Sequence, residues 1–146
     1  MVTETTDFEL ARFLPYRMTV AAERLSAGMA KRYSDEFGIS VAEWRILVHV
    51  ADSDAVSIRE IHQRVHLEKS KASRAASRLE AAGYLSKQVN DQDRRLISLT
   101  LTEKGRELMD RLLPVARDFQ ARLDALLAPY NDALDSALEI MMEGDL

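Results

Sequence analysis

The stretch from Lys69 to Leu79 holds Lys69, Ser70, Lys71, Ser73, Arg74, Ser77 and Arg78, interleaved with Ala72, Ala75, Ala76 and Leu79. On a helix these two sets separate onto opposite faces, one cationic and hydroxylic, the other small and apolar. Lys and Arg neutralise phosphates, and Arg grips guanine O6 and N7 with two parallel hydrogen bonds. Serine hydroxyls reach phosphate oxygens or base edges. Downstream, Asp93, Arg94 and Arg95 follow a run of turn-forming residues, Asn90-Asp91-Gln92. An arginine at a hairpin tip suits the negative potential of an adjacent minor groove, and Asp93 can hold one of these arginines by an ion pair. This is the chemistry of double-stranded DNA recognition. The bland alternative is that the same charges solvate a helix face that binds nothing.

Other chemistries are poorly supplied. His62 and His66 are four residues apart, a spacing that binds metal on an unbroken helix. A helix break is expected at His66 and no third ligand is evident, so no metal site is predicted. The absence of cysteine excludes disulfides, thiolate metal sites and thiol redox sensing. No Gly-rich phosphate loop and no Ser–His–acid motif is present, so the expectation is a protein without enzymatic activity.

The elements that must carry these residues follow from patterning. The 146 residues are 47% hydrophobic and 30% charged, with only five Gly and three Pro, a balance that favours a mostly helical single domain, 1–146. A helix is expected from about Phe8 to Phe37, with Leu14, Met18, Ala21, Leu25 and Met29 on one face and Gly38 ending it. Ser40-Val41-Ala42-Glu43 and Ser57-Ile58-Arg59-Glu60 read as capping boxes opening two further helices. The DNA-facing helix from Lys69 stops at Gly83. Two strands, Tyr84–Val89 and Leu96–Leu101, then form a hairpin. Thr102 caps a long helix striped by Leu108, Leu112, Val115, Phe119, Leu123 and Leu126, and Pro129 suits the first turn of a last helix. The acidic, polar N-terminus reads as no signal peptide and no apolar run reaches the length of a membrane span, so a cytoplasmic protein is expected. The net charge of −4 hides a partition: residues 57–95 carry +4 and the remainder −8. A basic centre on acidic flanks is compatible with a nucleic-acid module.

Two short helices around a tight break, followed by a basic hairpin, make a winged helix-turn-helix, spanning 40–101. Within it, Ser57-Ile-Arg-Glu-Ile-His-Gln-Arg-Val, Leu67-Glu-Lys-Ser-Lys-Ala-Ser-Arg, Leu79-Glu-Ala-Ala-Gly-Tyr-Leu, Asp93-Arg-Arg and Leu101-Thr-Glu-Lys-Gly105 together resemble the MarR family of regulators. The resemblance implies a homodimer joined through 8–37 and 102–146, with two reading heads on a pseudo-palindromic operator. It maps Ser70, Lys71, Ser73, Arg74 and Arg78 onto recognition-helix positions, Asp93 and Arg95 onto the wing pair, and Ser57 onto a phosphate contact. Glu68 stands where that family often carries Asp or Asn. Glu caps poorly, so the helix start is expected to slip toward Ser70.

The resemblance also implies a ligand-responsive repressor, released from DNA by a small aromatic or anionic effector; no cofactor is implied. Arg17 and Arg45 are the candidates for pairing with a carboxylate, and Tyr16 and Trp44 for stacking on a ring. The structural alternative makes Trp44 a core residue and pairs the arginines with Glu23 or Glu43. A helical dimer that binds no DNA, acting as an interaction or ligand-binding module, is the competing reading of the whole chain.

Overall fold

In the computed structural model, residues 7–53, 56–65, 67–89, 91–93 and 97–146 are described, with Ile58 and His62 as backbone only. Helix α1, Leu14–Phe37, starts with Pro15 in its first turn, where the missing N–H costs nothing. A separate 3-10 turn, Leu10–Arg12, precedes it. The expected start at Phe8 is therefore early by six residues, because Pro15 fixes where the helix opens. At the other end Gly38 turns left-handed, and the Ile39 N–H reaches back to the Tyr33 carbonyl at 3.2 Å.

Helix α2, Val41–Asp52, opens on a reciprocal capping box. The Glu43 N–H donates to Ser40 Oγ at 3.1 Å, and that hydroxyl donates to Glu43 Oε1 at 2.9 Å. Strand β1, Val56–Ser57, leads into α3, Ile58–Arg64, where Ser57 and Glu60 repeat the motif. Then come α4, Lys69–Ala81, β2, Leu85–Val89, β3, Ile97–Leu101, α5, Glu103–Leu127, and α6, Asn131–Glu143. The sheet order is β1-β3-β2, antiparallel throughout, with Val56 opposite Leu99 and Lys87 opposite Leu99 on its other side. The hairpin was expected; β1 is additional.

The chain divides into two compact units, Met1–Asp110 and Arg111–Leu146. The first has a core of Tyr33, Ile46, Leu47, Val50, Val56, Ile61, Leu79 and Leu99, each at most 1% exposed. Helix α4 packs on α2, α3 and β2 through Ala72, Ala75, Ala76 and Leu79, all buried. Small side chains there let the backbones approach closely. By contrast, Leu14, Val20 and Leu25 on α1 remain exposed, so the apolar stripe of that helix finds little cover within the chain.

The second unit contains the rest of α5 and all of α6. Leu126, Ile140 and Met142 are 76%, 68% and 80% exposed, and no residue of α6 is buried. The turn before α6 is closed by the Tyr130 N–H on the Leu127 carbonyl at 2.6 Å, which leaves Pro129 ahead of the helix rather than in its first turn. Among the described residues no helix is long and apolar enough to cross a membrane.

Candidate nucleic-acid interface

The junction between α4 and α5 fixes where the basic helix ends. Gly83 has φ 86°, a left-handed conformation that side chains rarely adopt, and it reverses the chain into β2. The Thr102 hydroxyl donates to the Gly83 carbonyl at 2.6 Å and accepts the Gly105 N–H at 3.0 Å. It thus caps α5 and holds the loop after α4 at once. The Thr102 N–H donates to the Tyr84 carbonyl at 3.1 Å. Lys104 Nζ donates to the Ala82 carbonyl at 2.7 Å and lies 4.9 Å from the centre of the Tyr84 ring. Gly105 is buried, and any Cβ there would collide with the Tyr84 carbonyl oxygen.

The outward face of α4 is as the pattern predicts. Lys69, Ser70, Lys71, Ser73, Arg74, Ser77 and Arg78 are all exposed. Ser73, Arg74, Ser77 and Arg78 line one shallow groove. The helix starts at Lys69, not at Ser70: Glu68 occupies the cap position without a side-chain cap, and its carboxylate accepts the Ser70 hydroxyl at 2.8 Å. Extended backbone at Glu68 suffices to start the helix, and the Ala72 N–H bonds the Glu68 carbonyl at 3.0 Å. Arg78 is tied: its Nε lies 3.6 Å from Glu43 Oε1 on α2. Lys87 of β2 lies 3.4 Å from Glu80, which braces the wing against α4.

Ser57 spends its hydroxyl on the α3 cap, accepting the Glu60 N–H and donating to the Glu60 carboxylate, both at 3.1 Å. It also lines a groove with Arg59, Gln88 and Ser98, between α3 and the wing strands. Arg59 is exposed at that groove and was passed over by reading the 69–78 cluster alone; its signal is a lone cation in the first turn of α3. Asp93 is half-buried. Arg94, Arg95, His66 and the side chain of His62 lie outside the described residues. Among the described residues no group of three His, Cys, Asp or Glu could hold a metal ion.

The four effector candidates do not meet within one chain. The Trp44 ring stacks on Tyr33, centres 4.6 Å apart. Tyr16 precedes Tyr33 by 17 residues on the same helix, or roughly 25 Å of axis at 1.5 Å per residue. Tyr16 and Arg17 are exposed near the start of α1, far from Trp44. Arg45 Nη1 donates to the Val65 carbonyl at 3.5 Å, a long contact, while Glu43 is taken by Ser40 and Arg78. Tyr33 is the residue the sequence reading missed, although it continues the Leu25, Met29 spacing by one more turn. Its side chain is fully buried, its hydroxyl has no partner among the described residues, and burial pushes its pKa up to about 12.

A family model for the MarR family matches residues 37–96, the run that contains α2, α3, α4 and the wing. Over that central run the chain is similar to the MarR family. A MarR family transcriptional regulator from Silicibacter pomeroyi is 29% identical, with a TM-score of 0.77 over 96% of this chain and 94% of that one. The transcriptional repressor CouR, solved bound to a 23-mer DNA duplex, is 25% identical, with a TM-score of 0.81 over 92% and 96%. Among curated proteins, the HTH-type transcriptional regulator SarZ of Staphylococcus epidermidis is 24% identical over 95 residues, 63% of this chain and 64% of SarZ. The chain thus spans just under two thirds of that relative. The mostly helical fold with a three-stranded wing is that of MarR winged-helix structures, and the relatives are regulators rather than enzymes. Bordetella bronchiseptica BpsR, whose DNA binding is regulated by 6-hydroxynicotinic acid, is 22% identical, with a TM-score of 0.82 over 94% of this chain and 99% of that one.

Proposed function

We propose that this chain is a MarR family regulator that binds double-stranded DNA as a homodimer, represses transcription, and releases its operator when a small effector binds. The observation that carries the reading is the division of α4: four alanine and leucine side chains buried on one face, four cations and three serines exposed on the other. In this reading 40–101 is the reading head. Ser70, Lys71, Ser73, Arg74 and Arg78 enter the major groove, Ser57 sits against a phosphate, and Asp93, Arg94 and Arg95 form the wing tip. Such a role places the protein in the cytoplasm with the chromosome.

The exposed apolar residues at both ends, Leu14 and Leu25 on α1 and Leu126, Ile140 and Met142 near the C-terminus, support a second copy as their cover. For the effector, Trp44 offers a ring face and Tyr33 a buried O–H without an acceptor among the described residues, which suits a small aromatic anion. Arg45 is near enough in sequence to serve it; Tyr16 and Arg17 of the same chain are not.

Fluorescence anisotropy with a duplex selected from a random pool tests the DNA reading. Neutralising four to eight phosphates gives a log–log salt slope of about −4 to −7. Binding that does not weaken with salt, or no selection of any duplex, would favour the helical dimer that binds no DNA.

A further inference from the structure

Glu43 lies on α2, outside the DNA-facing cluster, yet its carboxylate joins two elements. Its Oε1 accepts the Ser40 hydroxyl at 2.9 Å and stands 3.6 Å from Arg78 Nε. The Glu43 side chain is 14% exposed and that of Arg78 54%. The carboxylate is therefore held at its root by a capping box, inside the protein, while the guanidinium it touches projects from α4. At 3.6 Å the contact is an ion pair rather than a hydrogen bond; it draws Nε toward α2 and leaves the two terminal nitrogens available for an outward fork. Arg74, on the same face one turn earlier, makes no ion pair with α2 among the described residues.

We infer that Glu43 is a positioning residue: it aims Arg78, and thereby contributes to operator specificity rather than to bulk affinity. The inference rests on α4 contacting DNA. A carboxylate near a DNA-binding face opposes phosphate through its charge, so its removal should strengthen indiscriminate binding. If it also orients a base- or phosphate-directed fork, the same removal should weaken binding to the preferred sequence. The two effects have opposite signs on two duplexes, which separates them.

The test uses full-length wild type, Glu43→Gln, Arg78→Ala, Arg78→Lys and the Glu43→Gln/Arg78→Ala double variant. Each is titrated against a duplex selected from a random pool by wild type and against a scrambled duplex of equal length. Gln keeps an acceptor for Ser40, and Arg78 is exposed, so thermal melts should show all of them folded. For residues in contact, coupling corresponds to about 3- to 10-fold in affinity. The expected result is such a loss for Glu43→Gln on the selected duplex only, with unchanged or tighter binding to the scrambled one. Arg78→Lys should show the same loss of discrimination, and the double variant should be no worse than Arg78→Ala. Additive losses, or equal tightening on both duplexes, would overturn the inference while leaving the DNA-binding reading intact. Should wild type itself bind neither duplex, the DNA-binding reading falls, and this inference with it.

Discussion

Gly105→Ala should be costly although it lies in a helix, where alanine is ordinarily the better residue. A Cβ at this position collides with the Tyr84 carbonyl oxygen and comes within 3.1 Å of Leu101 Cδ2. The leucine can rotate, but the carbonyl is backbone, and it accepts the Thr102 N–H at 3.1 Å. Forcing a methyl group into such a packed site costs about 1–3 kcal/mol. Displacing the carbonyl also weakens that hydrogen bond, about 0.5–1.5 kcal/mol. Helix propensity returns about 1 kcal/mol. The net expectation is a loss of roughly 1–3 kcal/mol. Urea unfolding followed by circular dichroism, at one fixed protein concentration because a dimer's stability depends on it, should show a lower midpoint with an unchanged slope. A neutral or stabilised variant would mean that α5 does not press on the Tyr84 backbone, and the account of the α4–α5 junction would be wrong.

Thr102→Val keeps the shape and removes the shared hydroxyl; it should destabilise by about 1–2 kcal/mol in the same assay, with Thr102→Ser recovering most of the loss. Tyr33→Phe removes a buried O–H without a partner among the described residues and should be neutral or slightly stabilising at pH 7. Since Tyr33 is raised to about 12 from 10, its contribution is complete below pH 10 and is lost as pH rises toward 12. Wild type should therefore lose more stability than Tyr33→Phe between pH 9 and 11, by roughly 1 kcal/mol, and equal losses would contradict the raised pKa. Arg74→Ala should weaken binding to the selected duplex by about 1–3 kcal/mol and flatten the salt slope by about one. Ile140→Asp, placed on an exposed apolar position, should shift the protein toward monomer in sedimentation velocity without unfolding it.

Much of the site was legible because its signals are local. The two Ser-x-x-Glu boxes, the alanine face of α4 and the stop at Gly83 each depend on residues within one helical turn or face. Strand β1 was not legible, since two residues carry no alternation and Val56 becomes a strand residue only through Leu99, more than forty positions away. The start of α4 at Lys69 was read from the pattern, and only the slip toward Ser70 failed, because cap preference was weighed and backbone conformation could not be. Glu43 looked like a capping residue alone; its second partner, Arg78, is 35 positions away and reaches it only once α4 packs on α2. Tyr16 and Trp44 were grouped by residue type, and only the length of α1 separates them.

The division of α4 has an evolutionary consequence. Its inner face is three alanines and a leucine, so the fold needs almost nothing from the outward side chains. If α4 reads DNA as proposed, Ser73, Arg74 and Ser77 can be exchanged in a lineage without repacking the interior, and each exchange would change the sequence that is read rather than the protein that reads it. Arg78 is less free, because a replacement there strands the Glu43 carboxylate at a mostly buried site. In that reading the outward face of α4 divides into letters that drift easily and one that drifts only with a compensating change on a neighbouring helix.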